Sequence, residues 1–338
     1  MSTVSLSLLA LVALTAWPAR AAPPGTVTLK LATLAPSGSA WHDLLRELGQ
    51  RWEAVSGGQV KVKIYAGGTQ GNEGEVLRKL GINQLQAAAI SNMGLHDLTP
   101  ESSALTVPLL FRGEAEMECA FERVRPSLEA AILRKGYVVV QWSRIGAVNF
   151  YCDAPRPTPE SMRGVKIFVP QGDAAVSDAL RLAGMRPVML AATDLVPALQ
   201  TGMIECVNNV ALYALTTRTF VKAPYVLDLP WGYMAGATLV RADAWQRIPA
   251  EVRPRLLEVA QAVAARVNAE VRRLDREAVA AMQKQGMTLV PADPEVWRPA
   301  MEKTWEIFRG QVVPAPFFDE VRAARDACRT EARTAAER

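Results

Sequence analysis

The chain has 338 residues, is 50% hydrophobic and carries a formal net charge of +4. That length admits two domains, and the balance is ordinary for a globular protein. The lysines and arginines are scattered, with no basic block of the kind that grips nucleic acid, so no nucleic-acid partner is expected.

The first element is an apolar run from Val4 to Trp17, followed by Ala19-Arg20-Ala21. It predicts a secretory signal over residues 1–22, cut after Ala21 or Ala22. The run is shorter than the roughly 20 residues that a membrane span needs, which favours cleavage over anchoring. Val27, Leu29 and Leu31 alternate with polar neighbours and predict a strand. Ser39 predicts a helix cap, and Trp41, Leu44, Leu45, Leu48, Trp52 and Val55 make one apolar face up to Gly57-Gly58. Val60, Val62 and Ile64 predict a second strand. Gly67-Gly68-Thr69-Gln70-Gly71 lacks the spacing of a phosphate cradle and reads as a turn. A helix over Glu75 to Leu80 and a strand over Leu85 to Ile90 follow, with Ser91-Asn92-Met93 at the strand's end. Two helices, near 114–124 and 127–135, lead to a buried strand over Tyr137 to Trp142.

Residues 158–209 read as strand, helix, strand, helix, strand. The strands are Val165 to Val169, Pro187 to Leu190 and Met203 to Val207. The helices run from Asp173 to Leu182 and from the cap Thr193 to Gln200. Such alternation implies a parallel sheet whose ligands sit outside the strands' carboxyl ends, here Phe168 and Asn208-Asn209. Ala235 to Val240 reads as a returning strand. Arg253 to Gln285, bounded by Pro254 and Gly286, predicts one helix of ~50 Å, too long for one small domain. Trp297, Ala300, Met301, Trp305 and Phe308 predict one further amphipathic helix that serves the core, and the charged tail from Arg322 is expected to fray.

The chemistry-bearing residues are few. The histidines are His42 and His96. His42 reads as a cap or surface residue, and no nucleophile stands beside His96-Asp97. With no G-x-S-x-G or H-E-x-x-H, no enzyme and no cofactor or metal is expected. The cysteines, Cys119, Cys152, Cys206 and Cys328, form no C-x-x-C pair. Buried free thiols are the favoured reading, and if a bridge forms, Cys152–Cys206 is the pair expected.

Several stretches together carry a family resemblance. They are TPESMRGVKIFVP followed by LVPALQTGMIECVNN, and also LKLATLAPSGSAWH, VPLLFRGEAE and LVRADAWQRIPAEVRPRLLEVA. They resemble the DctP family, the periplasmic solute-binding subunits of tripartite ATP-independent (TRAP) transporters, in order over nearly the whole mature chain. The resemblance implies an α/β, two-domain Venus-flytrap fold, with domain I at 26–145 plus 235–274, domain II at 146–234 plus 275–325, a tail at 326–338, and a long helix crossing both. It further implies a periplasmic location, a cleft closing on a small molecule, and delivery to small and large membrane subunits. A ligand-sensing protein that feeds a receptor is the alternative. Family members that bind carboxylates have an arginine where this chain has Phe168, and many have another where it has Val148. The missing arginines resemble a subgroup associated with a tetratricopeptide-repeat partner and hydrophobic ligands. An uncharged or largely apolar ligand is therefore expected. Its candidate walls are Trp41, Trp142, Phe150, Phe168, Tyr213 and Trp231, each of which also suits a core, and the resemblance also gives the strand end with Met93 to the cleft. Its candidate polar contacts are Ser91, Asn92, Asn208 and Asn209. Arg144, the remaining cation near the cleft, is expected to face solvent.

Overall fold

A computed structural model describes residues 25–171, 173–191 and 194–337. The signal segment, and the expected cap Thr193, lie outside them. The first lobe begins β1 (Val27–Thr33), α1 (Ala40–Val55), β2 (Val60–Tyr65), α2 (Glu73–Gly81), β3 (Ala87–Ile90), α3 (Asn92–Leu98) and α4 (Glu114–Arg134). Next come β4 (Tyr137–Cys152), β5 (Lys166–Pro170), α5 (Ala174–Leu182), β6 (Arg186–Leu190), α6 (Leu195–Gln200), β7 (Cys206–Val210), α7 (Ala211–Thr216), β8 (Tyr225–Asp228) and β9 (Gly232–Arg241). The chain ends with α8 (Ala242–Gln246), α9 (Arg253–Lys284), β10 (Thr288–Pro291), α10 (Pro294–Glu302), α11 (Trp305–Ile307) and α12 (Ala315–Ala336).

One sheet runs through both lobes in the order β2-β1-β3-β9-β4-β7-β5-β6, with β8 joining β4 to β10. Strand direction positions the cleft. β1 and β3 are parallel, β9 is antiparallel to β3, and β4 is antiparallel to β9, so β4 leaves the first lobe in the direction of β1 and β3. In the second lobe β7 is antiparallel to β4 and parallel to β5, which is parallel to β6. The carboxyl ends of both sets of strands therefore face the junction of the lobes, where ligands of open α/β sheets bind. That junction lies at an irregularity in β4 between Arg144 and Gly146. Gly146 has φ +147°, and a Cβ there would stand 3.3 Å from the Val210 side chain, so only glycine fits the crossing comfortably.

Each half of the sheet is covered on both faces, as a largely parallel sheet requires. In the first lobe Leu80, Leu95, Leu128 and Phe318 pack on one face, and Leu29, Leu48, Trp52 and Leu256 on the other. α9 runs for 32 residues, or ~48 Å, as its bounding Pro254 and Gly286 predict. Its Val263 and Val267 belong to the first lobe's core and its Ala278 and Met282 to the second's. The long helix thus joins both lobes.

Several elements differ from the sequence reading. α4 is one helix, not two, and passes through Pro126. The carbonyl that Pro126 leaves without its helical bond belongs to Glu122, on the solvent side, where water can take it. The β4 segment expected to be buried has Val138 and Val139 only half-buried, because there β4 is the edge of the first lobe's sheet. β7 starts at Cys206, so Asn208 and Asn209 lie within the strand, opposite Phe150 and Asn149. Trp297 to Phe308 is broken after Glu302, giving α10 and α11, although Trp297, Met301 and Phe308 are core as expected.

The cysteines overturn the thiol reading. All four are paired, as Cys152–Cys206 and Cys119–Cys328. The second bridge joins residues 209 apart in sequence and fastens α12 to α4. Arg123–Glu331 at 2.6 Å and Arg329–Glu116 at 2.8 Å reinforce the same helix pair, and α12 stays helical to Ala336 where fraying was expected.

Candidate ligand-binding cleft

On the first lobe, the loop after β1 and the turn from β3 into α3 form one wall. His42 closes the loop by accepting the Gly38 N–H on Nδ1 at 3.1 Å, while Ser39 caps α1 by accepting the His42 N–H. Trp41 is half-buried in the first turn of α1, against the α1–α9 core. Leu34 and Met93 project from the two strand ends, 42% and 55% exposed. Ser91 caps α3, accepting the Met93 N–H at 3.2 Å, and its own hydroxyl donates to the buried Glu73 at 2.7 Å. Asn92 is half-buried beside it. His96 meets the Ser103 hydroxyl at 2.7 Å.

On the second lobe, Met189 near the end of β6 and Tyr213 in α7 are 45% and 44% exposed. Asn208 and Asn209 are half-buried, and Asn209 Oδ1 accepts the Val210 N–H. Asp173 caps α5 by accepting the Val176 N–H at 3.3 Å, and burial raises its pKa. Phe150, Phe168 and Trp231 are interior, 1%, 7% and 5% exposed. Phe150 and Trp231 pack edge to face at 4.6 Å, and Phe168 lies among Leu195, Leu199 and Val207. The structure thus places Ser91, Asn92, Met93 and Tyr213 beside strand ends on the junction side, sets Asn208 and Asn209 within the last residues of β7, and keeps these three aromatics in the core. Trp142 lines a cavity of about 600 Å³ between α4, β4, β9 and α9, which Arg144, Gly146 and Ala235 also line, and donates to Glu129 at 2.9 Å.

Arg144 does not face solvent. Its side chain is 9% exposed and pairs with Glu114 and Glu118 of α4. Glu118 also binds Arg272 of α9 at 2.7 Å, and the Arg144 N–H donates to Asn268 at 2.8 Å. Burial lowers the Arg144 pKa to about 10, with the neighbouring Arg272 charge adding to the effect. The arginine therefore stays protonated at neutral pH and holds α4, β4 and α9 together.

Asp275 of α9 is the second charge at the crossing. Its Oδ1 is buried without a hydrogen-bond partner. Burial raises its pKa, against the opposing pull of the Leu212 and Ala211 amides and of Arg144. A carboxyl whose folded pKa is raised stabilises the fold most below its unfolded value, and that stability is lost as pH climbs through the folded value. Asp275→Asn imitates the protonated form. Its stability relative to the unsubstituted protein should therefore be higher at pH 7 than at pH 4, as read from urea midpoints at both. An equal difference at the two pH values would show that Asp275 pays no charge-burial penalty.

Sequence reasoning passed over Met189 and Glu73. Met189 carries a usable signal, since it is a large apolar residue beside a strand's carboxyl end. Glu73 carries none, because nothing local marks a carboxylate that bonds 18 residues away.

A sheet shared by two lobes, with both sets of strand ends facing a glycine-marked crossing, defines a two-domain α/β binding protein of the Venus-flytrap type. The chain belongs to the DctP family, bacterial extracellular solute-binding protein family 7, whose model matches residues 31–311. It is similar to the uncharacterized protein YiiZ of Salmonella typhimurium, 28% identical over 188 residues, a match covering 55% of this chain and 57% of that relative, little more than half its length. The sialic acid-binding periplasmic protein SiaP of Vibrio cholerae is 21% identical over 92% of this chain and 97% of its own. A TRAP periplasmic solute-binding protein of Roseobacter denitrificans, solved with bound β-D-glucuronate, superposes with a TM-score of 0.78 at 18% identity, covering 88% of this chain and 99% of that one. This last likeness bears on the fold.

Proposed function

We propose that this protein is the periplasmic solute-binding subunit of a TRAP-type transporter, exported on its N-terminal segment. It captures an uncharged or largely apolar small molecule between its lobes and passes it to small and large membrane subunits. It acts without chemistry or cofactor, and closure bends β4 and β9 near Gly146 and Ala235. The two disulfides suit an oxidising compartment.

The observation that carries the ligand class is the pairing of apolar lips with an absence of cations in the expected places. Leu34 and Met93 on one lobe and Met189 and Tyr213 on the other are large exposed hydrophobics at strand ends. Phe168 and Val148, where acid-binding members of the family have arginines, are 7% and 3% exposed, and Arg144 is already paired with two carboxylates. Enclosing a carboxylate without a partner is expensive, whereas an apolar ligand gains about 25 cal/mol per Å² of apolar surface buried. One of the similar proteins is named for sialic acid and another was solved with glucuronate bound, so the ligand class is where this chain should part from them. Asn92, Asn208 and Asn209 supply neutral polar contacts. The tetratricopeptide-repeat partner rests on the same missing arginines.

Calorimetric titration tests this reading. D-glucuronate, sialic acid and succinate should give no saturable heat at millimolar concentration, and micromolar binding of any one of them would overturn the ligand class.

A further inference from the structure

Glu73 is the first residue of α2, and its side chain is buried. Its carboxylate accepts three hydrogen bonds from the turn between β3 and α3: the Ser91 N–H at 2.6 Å, the Ser91 hydroxyl at 2.7 Å and the Gly94 N–H at 2.8 Å. The Ser91 oxygen in turn accepts the Met93 N–H. A relay thus runs from the Met93 backbone through the Ser91 hydroxyl to Glu73. The fit around it is close. A Cβ at Gly94 would stand 3.0 Å from Glu73 Oε2 and 3.1 Å from Ile90 Cβ. The base of α2 is fixed separately by a capping box between Asn72 and Glu75, so the carboxylate projects from a rigid end. Meanwhile the Met93 side chain, at the end of the relay, is more than half exposed.

We infer that Glu73 is a positioning residue for the cleft: it fixes the first turn of α3 and so sets where Met93 stands on the first lobe's lip. The inference rests on the proposed reading of these strand ends as the ligand cleft. It assigns this carboxylate to the protein's own donors. Ionised, it has acceptors only, and three of them meet donors of the turn. A glutamine in its place keeps the volume but points an amide N–H at one of those donors. That breaks the relay without opening a cavity.

The test is epistasis between Glu73→Gln and Met93→Ala, read with the uncharged fluorescent probe N-phenyl-1-naphthylamine. Glu73→Gln should raise the probe's Kd about tenfold in the otherwise unsubstituted protein and by less than about twofold in the Met93→Ala background, because the lip side chain it positions is then gone. An equal loss in both backgrounds, or none in the first, overturns the inference. Ser91→Ala interrupts the same relay and should give the same pattern if Glu73→Gln does not fold. If the unsubstituted protein does not bind the probe, the apolar reading of the cleft fails on its own. Hydrogen exchange over residues 92–95 then decides the positioning claim. Glu73→Gln should speed it, and unchanged exchange would overturn the claim.

Discussion

Replacing Cys119 and Cys328 together by serine should lower the unfolding free energy by about 3–5 kcal/mol. The bridge closes a loop of 209 residues. The chain-entropy account gives about 5 kcal/mol for a loop of that length, and removal of native disulfides typically costs about 2–5 kcal/mol. The salt bridges beside it do not compensate, because Arg123 and Glu331 are 38% and 64% exposed and surface pairs contribute about 1 kcal/mol or less. Urea unfolding gives the magnitude and hydrogen exchange the location. Faster exchange should be concentrated in α12 and the facing side of α4. A loss below about 1 kcal/mol, with α12 exchange unchanged, would mean that the bridge fastens nothing that packing does not already hold.

The second large effect is expected of Phe168→Arg. From the sequence alone this substitution reads as a change of ligand preference, since the family resemblance implies an arginine there in carboxylate-binding members. The buried position of Phe168 among Leu195, Leu199 and Val207 changes the expectation. An unpaired cation in such a site costs about 3–5 kcal/mol, as large as the loss of the aromatic ring itself. The variant should therefore unfold at clearly lower urea concentration and gain no firm affinity for D-glucuronate. A stability within about 1 kcal/mol of the unsubstituted protein, together with saturable glucuronate binding, would place Phe168 on the cleft wall instead of in the core.

The parts of the fold legible in the sequence were those with local marks. Pro254 and Gly286 bound α9 to within a residue or so, and the helix read from Asp173 to Leu182 is α5, with Asp173 as its cap instead of its first residue. The failures each have a non-local cause. Pro126 marks a break only if its freed carbonyl cannot reach water, and Glu122 is on the solvent side. The apolar run at Met203 suggested a strand one turn too early, and β7 takes its register from β4 through Cys152 opposite Cys206. Arg144 looks solvent-bound in a strand until α4 and α9 bring Glu114, Glu118 and Arg272 around it. The aromatics posed the hardest case. Phe150 and Trp231 have the chemistry of a ligand wall, and only their edge-to-face packing on each other, with Trp231 also edge to face on Trp297, assigns them to the interior. At the cleft, the position of Ser91 to Met93 at a strand's end was legible in the sequence, whereas the carboxylate behind them was not.

If the cleft holds an uncharged or largely apolar molecule, as proposed, the bound molecule itself is the best witness. Protein recovered from the periplasm of producing cells without refolding can be denatured and whatever it releases identified by mass spectrometry. The account predicts a near-stoichiometric molecule that carries no carboxylate, or whose charged group lies at the end of a long apolar body. Stoichiometric release of a uronic acid, a sialic acid or a small dicarboxylate would contradict it.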